Sequence, residues 1–396
     1  MHPINEIRSS QSSRLEGKRI VLGITGSIAA VECVKLAREL ARHGAEVIPV
    51  MSASAVSIVH PDAIHFATGH EPIIELDGAV KHVELCGESK GRADLLLIAP
   101  ATANTISKIA TGVDDTSVTT MASCALGSGM PVVIVPAMHT TMYTHDIIKD
   151  NIKRLEKLGV GFVGPVMEEK KAKMAAQDEI VQAVSRVLGP GDLKNRKVLV
   201  ITGPTREPID DVRFITNSSS GRTGIEFALE AHRRGARVEV WAARGIEVPG
   251  SLECKVFSNV RDLENMVNKA RADIIIVPAA ISDFTVEKTE GKISSSESAS
   301  LTLKPAKKII RVLRAKNNGR IVGFKAEVGI SEPELEKRAR HRMKEYGLDM
   351  IVANLLDDVG EDDTRVLILS PGEKAVRFMG TKAELAERIF DSLAEC

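Results

Sequence analysis

The chain twice places small hydroxyl and glycine residues directly after an apolar run. Residues 21–29 read VLGITGSIA, and residues 198–206 read VLVITGPTR. A strand that ends in a glycine turn and enters a helix presents backbone N–H groups, and the helix N-terminus favours an anion. The second copy continues into SSSGRTG (218–224), which adds hydroxyls and a basic side chain. The two stretches predict two nucleotide-type binding sites in two domains.

The elements that position these residues are apolar runs alternating with amphipathic ones. The predicted strands cover 18–25, 45–53, 93–102 and 130–138, and then 196–203, 272–284, 319–327 and 349–354. The clearest predicted helices cover 27–44, 171–189 and 333–347. Strands that alternate with helices indicate an α/β chain with mostly parallel, doubly wound sheets. We therefore predict two Rossmann-like or flavodoxin-like domains, at 18–189 and 190–396, after a flexible lead-in at 1–17.

Composition excludes several classes of partner. The 396 residues are 43% hydrophobic and 27% charged, with a formal net charge of +0. This gives no electrostatic case for nucleic acid or an anionic membrane. No apolar run reaches the roughly 18 residues of a membrane helix, and the polar N-terminus lacks a signal-peptide core. We expect a cytoplasmic protein. The five cysteines match no metal-ligand spacing.

Candidate ligand residues of the first domain follow its strands. From the residues alone two interpretations stay open: the small hydroxyl residues bind a phosphate, or they only cap turns and helices. The motifs GITGSIAA (23–30), HVELCGESKGRADLLLIAPATANTISKIATG (82–112) and PAMHTTMY (136–143) occur in this order. They resemble the FMN-dependent cysteine decarboxylases, and more closely the decarboxylase half of the bifunctional coenzyme A biosynthesis enzymes.

That resemblance implies decarboxylation of phosphopantothenoylcysteine to 4′-phosphopantetheine. It implies a catalytic His82, and substrate contacts from Met138 and from His139, also catalytic, which stands where the family usually has Asn. It also implies that FMN is held by a set of small or polar residues: Gly26, Ser27, Ser52, Thr102, Asn104 and Thr119.

One departure concerns the final proton. Many relatives carry a cysteine on a substrate clamp, whereas the corresponding stretch here, GPVMEEKKAKMAAQDE (164–179), has none. A lysine of EEKKAK, a water or a distant thiol must replace it. Two alternatives stay open for this domain: a flavoprotein that stops at the oxidised or ene-thiol product, and a flavin-binding regulatory or assembly module.

The second domain carries its own ordered motifs. ITGPTREPIDDVRFITNSSSGRTG (201–224), AAISDF (279–284), GKI (291–293), VGFKAE (322–327) and IVAN (351–354) resemble the ligase half of the same bifunctional enzymes. The resemblance implies that 4′-phosphopantothenate is joined to cysteine through an acyl-cytidylate made from CTP, with Mg²⁺ bound to the nucleotide. The sequence does not decide whether the nucleotide is CTP or ATP, nor which residues bind the metal.

The same resemblance implies roles for individual residues. Asn217 holds the acyl-nucleotide, and Arg213, Ser220 and Gly221 contact substrate. Lys292 lies in the polar segment 290–308, predicted to be a mobile lid. Arg342 stands where a phosphate-binding Lys is usual, with Lys344 as a substitute for a second Lys, and Lys307 stands where Pro is usual. The implied nucleotide contacts are Asp283, Lys292, Lys307, Lys308, Ile309, Ile310, Phe324, Arg342 and Lys344. The family further implies homo-oligomers in which trimers of the first domain and dimers of the second combine, up to a dodecamer.

Overall fold

The computed structural model describes residues 2–169, 171–294, 300–355, 360 and 363–394. The chain divides into two compact units, Met1–Gly189 and Pro190–Cys396.

The first unit is a three-layer α/β structure. Its strands are β1 Arg19–Ile24, β2 Glu46–Met51, β3 Leu95–Ala101, β4 Val132–Pro136, β5 Met138–His139, β6 Gly161–Phe162, β7 Val166–Glu168 and β8 Lys171–Lys173. Its helices are α1 Ile4–Ile7, the 3-10 helix Ile28–Glu32, α2 Cys33–Arg42, α3 Ala53–Val56, α4 Pro61–Thr68, α5 Lys81–Cys86, α6 Ala103–Thr111, α7 Ser117–Gly127, α8 Thr140–Tyr143, α9 Asp146–Lys157 and α10 Gln177–Val187.

The main sheet of this unit is parallel, in the order β2-β1-β3-β4-β6. Its strands are covered on both faces, as the continuous apolar runs indicated. In β3, Leu95 and Leu97 pack with α2, α4 and α10. The alternate residues Leu96 and Ile98 pack with α6, α7 and α9. The carboxyl ends of the strands are left to the loops, and those loops carry the predicted flavin residues.

The second unit has the same layers around a longer sheet. Its strands are β9 Lys197–Thr202, β10 Arg206–Pro208, β11 Phe214–Thr216, β12 Arg237–Ala243, β13 Glu253–Phe257, β14 Ile274–Val277, β15 Phe284–Val286, β16 Leu303–Pro305, β17 Arg320–Glu327, β18 Met350–Leu355, β19 Asp363–Leu369 and β20 Val376–Thr381. Its helices are α11 Arg222–Arg233, α12 Val260–Val267, α13 Ile309–Lys316, α14 Glu332–Tyr346 and α15 Lys382–Ala394.

The sheet order is β13-β12-β9-β14-β17-β18-β19-β20, and all pairs are parallel except those of β19, which runs antiparallel to both β18 and β20. Phe227 of α11 and Phe390 of α15 pack on one face, and Leu263, Leu313 and Leu335 of α12, α13 and α14 pack on the other. The predicted fold class, two doubly wound α/β domains with mostly parallel sheets, is confirmed.

Three local predictions differ from the structure. The lead-in, described from residue 2, is packed, because Ile4 is 2% and Leu15 is 0% exposed, and the Leu15 N–H donates to the His43 carbonyl at 2.8 Å. The predicted helix 171–189 begins only at Gln177, since Lys171–Lys173 forms strand β8. Within the predicted mobile segment 290–308, Leu303–Pro305 forms strand β16 with β15, and residues 295–299 lie outside the described residues.

Candidate active sites

Three capped helix starts follow three adjacent strands in the first unit. Ser27 begins the 3-10 helix after β1, and its Oγ accepts a backbone N–H from two residues on at 3.4 Å. Ser52 and Thr102 cap α3 and α6 after β2 and β3, with N–H donors three residues on at 3.3 and 3.2 Å. Because these strands are neighbours, the sheet brings hydroxyls and helix N-termini to one edge, a setting that favours phosphate.

Close backbone packing fixes this edge. The Ser52 N–H donates to the last carbonyl of β1 at 3.0 Å, and the Thr102 N–H donates to Thr25 Oγ1 at 3.2 Å. A Cβ added at Gly26 would lie 2.4 Å from the Ser54 Cβ. Only glycine allows the first loop to approach the second this closely.

The other two predicted flavin residues differ in their surroundings. Asn104 is exposed in the first turn of α6. Thr119 is 2% exposed, and its hydroxyl accepts the Thr116 N–H at 2.9 Å in a reciprocal cap of α7. The preceding turn is held by an ion pair of 2.8 Å between Lys108 and Asp115. The Thr119 hydroxyl is therefore committed to shaping this turn.

His82 carries an unsatisfied nitrogen. It lies in α5, half-buried, and its Nδ1 is buried with no hydrogen-bond partner among the described residues. An unpaired buried polar atom is unfavourable unless something outside the chain satisfies it. The helix begins after Val80, which adopts φ +46°, a left-handed conformation that is a steric outlier for a β-branched residue. No sequence signal marked Val80.

His139 follows β4 and caps α8. Its Nδ1 lies 2.9 Å from Thr141 Oγ1 and accepts the Thr141 N–H at 3.4 Å. With Nδ1 as an acceptor, the neutral ring carries its proton on Nε2 and can donate there, as the amide of an asparagine would. The next hydroxyl, Thr140 Oγ1, is buried and has no partner within the described residues.

An antiparallel sheet in the order β5-β8-β7 covers this strand end. Met138 pairs with Ala172, which is 1% exposed, and His139 pairs with Lys171. Paired residues of antiparallel strands lie on the same face with Cβ atoms about 5 Å apart. The hairpin formed by β7 and β8, the covering hairpin, therefore sets the exposed Lys171 beside His139. The helix that the sequence predicts from residue 171 does not show this placement.

The other acids considered for the final proton are less well placed. Lys173 already pairs with Glu168 at 3.0 Å, and Lys170 lies outside the described residues. The Cys33 thiol is buried and donates to a backbone carbonyl at 3.1 Å. Burial raises the pKa of the Cys86 thiol to about 12, and its sulfur contacts a methionine in the core.

In the second unit, the loop before α11 approaches the end of β9. Gly221 adopts φ +72°, and its carbonyl accepts the Thr202 hydroxyl at 2.8 Å. A Cβ added at Gly224 would lie 2.2 Å from Thr202 Oγ1, so the helix start can only pack here without a side chain. Ser220 is exposed beside the first N–H groups of α11. This helix N-terminus has the chemistry that binds a phosphate.

Asn217 and Arg213 belong to the β10–β11 segment. The Asn217 Nδ2 donates to the Ala280 carbonyl at 3.1 Å, in the loop after β14. The Arg213 Nη1 lies 3.3 Å from Asp210 Oδ2 and 3.2 Å from the Ile293 carbonyl. The structure thus brings Asn217 to the loop that leads to the predicted nucleotide contacts.

The predicted nucleotide contacts around α13 are already paired. Asp283 forms an ion pair with Lys308, which precedes the first turn of the helix. Lys307 lies 3.5 Å from Glu264. The side chains of residues 309–310 pack into the core, Ile309 being 2% exposed. This leaves the backbone of these residues for the predicted nucleotide contact.

Lys292 and Phe324 differ in burial. Lys292 is exposed between two residues whose backbones are hydrogen-bonded to the β10–β11 segment. Phe324 is half-buried in the middle of β17, edge-to-face on Phe227 with ring centroids 5.5 Å apart.

Arg342 and Lys344 are separated on α14. Arg342 stacks over Tyr346 at 5.1 Å and lines a cleft with Lys325 and His341. Lys344 is exposed, and two helical positions place it about 200° around the axis from Arg342. The structure therefore does not bring Arg342 and Lys344 to one phosphate.

The described part of the chain offers neither a metal-binding cluster nor a membrane-spanning helix. No cluster of three or more His, Cys, Asp or Glu side chains lies in an arrangement that could hold a metal ion. No helix there is long and apolar enough to cross a membrane.

Both units match known protein families. The family model named Flavoprotein matches residues 8–189. The model named DNA/pantothenate metabolism flavoprotein C-terminal domain matches residues 193–396.

Curated relatives match over their full length. The chain is 47% identical over 404 residues to the coenzyme A biosynthesis bifunctional protein CoaBC of Thermococcus kodakarensis, covering 99% of each chain. It is 41% identical over 401 residues to the protein of that name from Methanocaldococcus jannaschii, covering 99% of this chain and 97% of the relative. Among solved structures, the DNA/pantothenate metabolism flavoprotein from Streptococcus pneumoniae aligns with TM-score 0.45 and 27% identity, over 50% of this chain and 98% of its own.

Proposed function

The chain belongs to the family of bifunctional coenzyme A biosynthesis proteins and is an enzyme with a flavoprotein decarboxylase domain and a ligase domain; from that premise we propose how its residues divide the work. The second unit joins 4′-phosphopantothenate to cysteine with CTP, and the first decarboxylates the product with FMN as the flavin. One observation carries the proposal: in each unit a glycine that admits no side chain lets a helix start pack closely at a strand end, Gly26 beside Ser54 in the first unit and Gly224 on Thr202 of β9 in the second.

In the proposed flavin crevice, Ser27, Ser52 and Thr102 bind the phosphate group of FMN. Gly26 has no side chain and lets the backbone come close to that phosphate. The fit is supported by the hydroxyls and N–H groups gathered at one sheet edge. When bound, FMN would supply the redox chemistry that the decarboxylation needs. His82 moves a proton to or from the substrate, with its unsatisfied Nδ1 as support for a ligand contact.

Residues of the covering hairpin complete that site. His139 donates from Nε2 to the substrate carboxylate, and Met138 packs beside it. Lys171 supplies the final proton to the ene-thiol, because its register sets it opposite His139 while Lys173 is held by Glu168.

The ligase crevice activates a carboxylate. The pantothenate carboxylate oxygen attacks the α-phosphorus of CTP and pyrophosphate leaves; the cysteine amine then attacks the acyl carbon and CMP leaves. Ser220, Gly221 and Arg213 contact the substrate phosphate, and Asn217 holds the acyl-cytidylate. The nucleotide contacts are Asp283, Lys292, Lys307, Lys308, the backbone of residues 309–310, Phe324 and Arg342, with Lys344 on a separate face of α14. Mg²⁺ arrives with the triphosphate and keeps waters as ligands.

The subunits assemble as homo-oligomers, through trimers of the first unit and dimers of the second. Large apolar side chains support this assembly: Ile28, beside the flavin crevice, is 79% exposed, and Met379 on the last strand of the second sheet is 75% exposed. Light scattering of the purified chain tests the stoichiometry.

A coupled assay tests the function. Phosphopantothenate, cysteine and Mg²⁺ are supplied with CTP or ATP in turn, and CMP or AMP, carbon dioxide and phosphopantetheine are measured. We expect CMP and phosphopantetheine in equal amounts. When EDTA removes Mg²⁺, ligation should stop, whereas separately added phosphopantothenoylcysteine should still be decarboxylated. A flavin-loaded protein that releases no carbon dioxide from phosphopantothenoylcysteine would contradict the decarboxylase assignment.

A further inference from the structure

Asp210 is a fully buried carboxylate outside the residues assigned so far. Its side chain is 0% exposed, in the turn between β10 and β11. Its Oδ1 accepts the N–H groups of Val212 at 2.8 Å and Arg213 at 2.6 Å. Its Oδ2 accepts the N–H of Ile293 at 3.1 Å and lies 3.3 Å from the Arg213 guanidinium. The two oxygens therefore serve two different segments of chain.

Neighbouring backbone N–H groups and Arg213 compensate the negative charge of the Asp210 carboxylate. Burial alone would raise the pKa of Asp210, but three backbone N–H bonds and the nearby Arg213 outweigh burial and lower the pKa below its ordinary value. The group stays ionised at neutral pH, so both oxygens act as strong acceptors.

The second segment is the one that carries Lys292. Residues 288–293 run beside 209–211, with the Thr289 N–H donating to the Ile209 carbonyl at 2.9 Å and the Asp211 N–H donating to the Gly291 carbonyl at 3.1 Å. The Gly291 N–H returns a bond to the Asp211 carboxylate at 2.9 Å.

Lys292 is therefore anchored on both sides. On its N-terminal side, Gly291 is bonded to Asp211 through its N–H and its carbonyl. On its C-terminal side, the Ile293 N–H is held by Asp210 and the Ile293 carbonyl accepts from Arg213 at 3.2 Å.

The first segment leads to Asn217. From the Asp210 turn the chain enters β11, where the Thr216 hydroxyl donates to the Thr205 carbonyl at 2.8 Å. Asn217 comes next and bonds the Ala280 carbonyl. Six residues thus separate the buried carboxylate from the side chain assigned to the acyl-nucleotide.

We propose that Asp210 is a positioning residue of the ligase, whose two oxygens fix the Lys292 segment against the strand that presents Asn217. This inference rests on the proposed function, in which Lys292 contacts the nucleotide and Asn217 the intermediate. A carboxylate is required because it accepts on both sides. An amide accepts with one oxygen only and turns its NH₂ toward either the Arg213 N–H or the Ile293 N–H.

The first test measures the segment itself and needs no ligand. In the full-length chain, Asp210→Asn keeps an acceptor for the turn and withdraws one from Ile293. We expect amide hydrogen exchange at Gly291 and Ile293 to become at least about tenfold faster, because a hydrogen bond to a charged group is lost. Unchanged exchange at both amides would overturn the proposal. Ile293→Pro removes the N–H donor instead and tests the same bond should Asp210→Asn fold poorly. The readout is then exchange at Gly291, where faster exchange supports the proposal and unchanged exchange overturns it.

The second test is a double-mutant cycle with Lys292→Gln, measured as KM for CTP and kcat of CMP release. We expect Asp210→Asn to raise KM by about tenfold, and the double variant to be no worse than Lys292→Gln alone. Losses that add would show that Asp210 acts independently of Lys292, against the proposal.

The controls separate this inference from the assigned function. Glu287→Gln removes an exposed carboxylate that pairs with Lys304 on the neighbouring strand, and it should change neither exchange at 288–293 nor KM. Decarboxylation by the first unit should stay at the wild-type rate in every variant. A wild-type chain that releases no CMP would refute the proposed ligase, whereas the exchange experiment would still decide the anchoring of Lys292.

Discussion

The two proposed sites differ in how their polar groups are satisfied. At the proposed decarboxylase site, His82 Nδ1 and Thr140 Oγ1 are buried without partners within the described residues. At the proposed ligase site, Asp283 is paired with Lys308, Asn217 is bonded to a carbonyl, and Asp210 accepts hydrogen bonds with both of its oxygens. The first arrangement is suited to a group that stays bound and completes the site. The second must exchange internal bonds for ligand bonds at each turnover, which suits substrates that come and go.

The largest expected effect separates the two activities. Replacing His82 by Asn removes the imidazole, and we expect decarboxylation to fall by about a hundredfold or more while CMP release is unchanged. His60→Asn is the matched control, since His60 is an exposed residue that caps α4 and Asn is a good cap. Assaying both activities in each variant checks the prediction, and loss of both in the His82 variant would point to misfolding.

The reverse separation uses Asn217. Asn217→Asp turns a donor into an acceptor that faces the Ala280 carbonyl, so we expect ligation to drop by about a hundredfold with decarboxylation intact. Asn259→Asp serves as its control, because Asp can also cap α12. A variant that keeps wild-type CMP release would remove Asn217 from the site.

The covering hairpin gives a change of product rather than of rate alone. Lys171→Met should slow the final protonation about tenfold or more and let the ene-thiol accumulate, two mass units lighter than phosphopantetheine. Lys173→Met should not change the product, because the Lys173 ammonium is already bound by Glu168. Mass spectrometry of the products distinguishes them, and a clean phosphopantetheine product from the Lys171 variant would eliminate this lysine as the acid.

Two glycine-to-alanine substitutions, one at a closely packed position and one in open space, differ in their expected effect on the free energy of unfolding. Gly224→Ala places a methyl 2.2 Å from the Thr202 hydroxyl, which should destabilise the second unit by about 1–3 kcal/mol. Gly127→Ala, in open space on α7 of the first unit, should be neutral or stabilising by up to about 1 kcal/mol. Denaturant unfolding monitored through each activity measures both, and equal losses would contradict the close packing at Gly224.

The smallest effect is a pH dependence confined to the second unit. Burial raises the pKa of Glu239, but bonds from Lys255, Trp241 and Lys197 outweigh burial and lower it from 4.5 to about 2. Its stabilising contribution is thus complete above pH 4.5 and is lost as the pH falls toward 2. Glu239→Gln should flatten the acid limb of the second unit's unfolding curve and leave the first unit's unchanged; an unaltered limb would show that other carboxylates dominate.

The fold was largely predictable because its central strands are continuously apolar. The run that became β3 has no polar residue from Leu95 to Ala101, which fits a strand covered on both faces. Strand β8 was missed because a three-residue hairpin strand of alternating Lys and Ala carries no distinctive period. The packed lead-in was missed because, within residues 2–17, only Ile4 and Leu15 are buried.

The site was predictable in its residue types and less so in its contacts. Ser27, Ser52 and Thr102 stand where the strand ends put them, and their assignment to a flavin stays a prediction. The unsatisfied nitrogen of His82 and the burial of Asp210 depend on segments distant in sequence. No local pattern could reveal them, because a hydrogen-bond partner such as Ile293 lies 83 positions from Asp210.

Each unit also keeps its own pair of apolar layers. Heat can therefore silence one activity while sparing the other, and the order of failure decides what the cell accumulates. If the flavoprotein half melts first, the ligase half continues to make a product that the chain can no longer decarboxylate. Thermal tolerance of the whole route is then set by the weaker half.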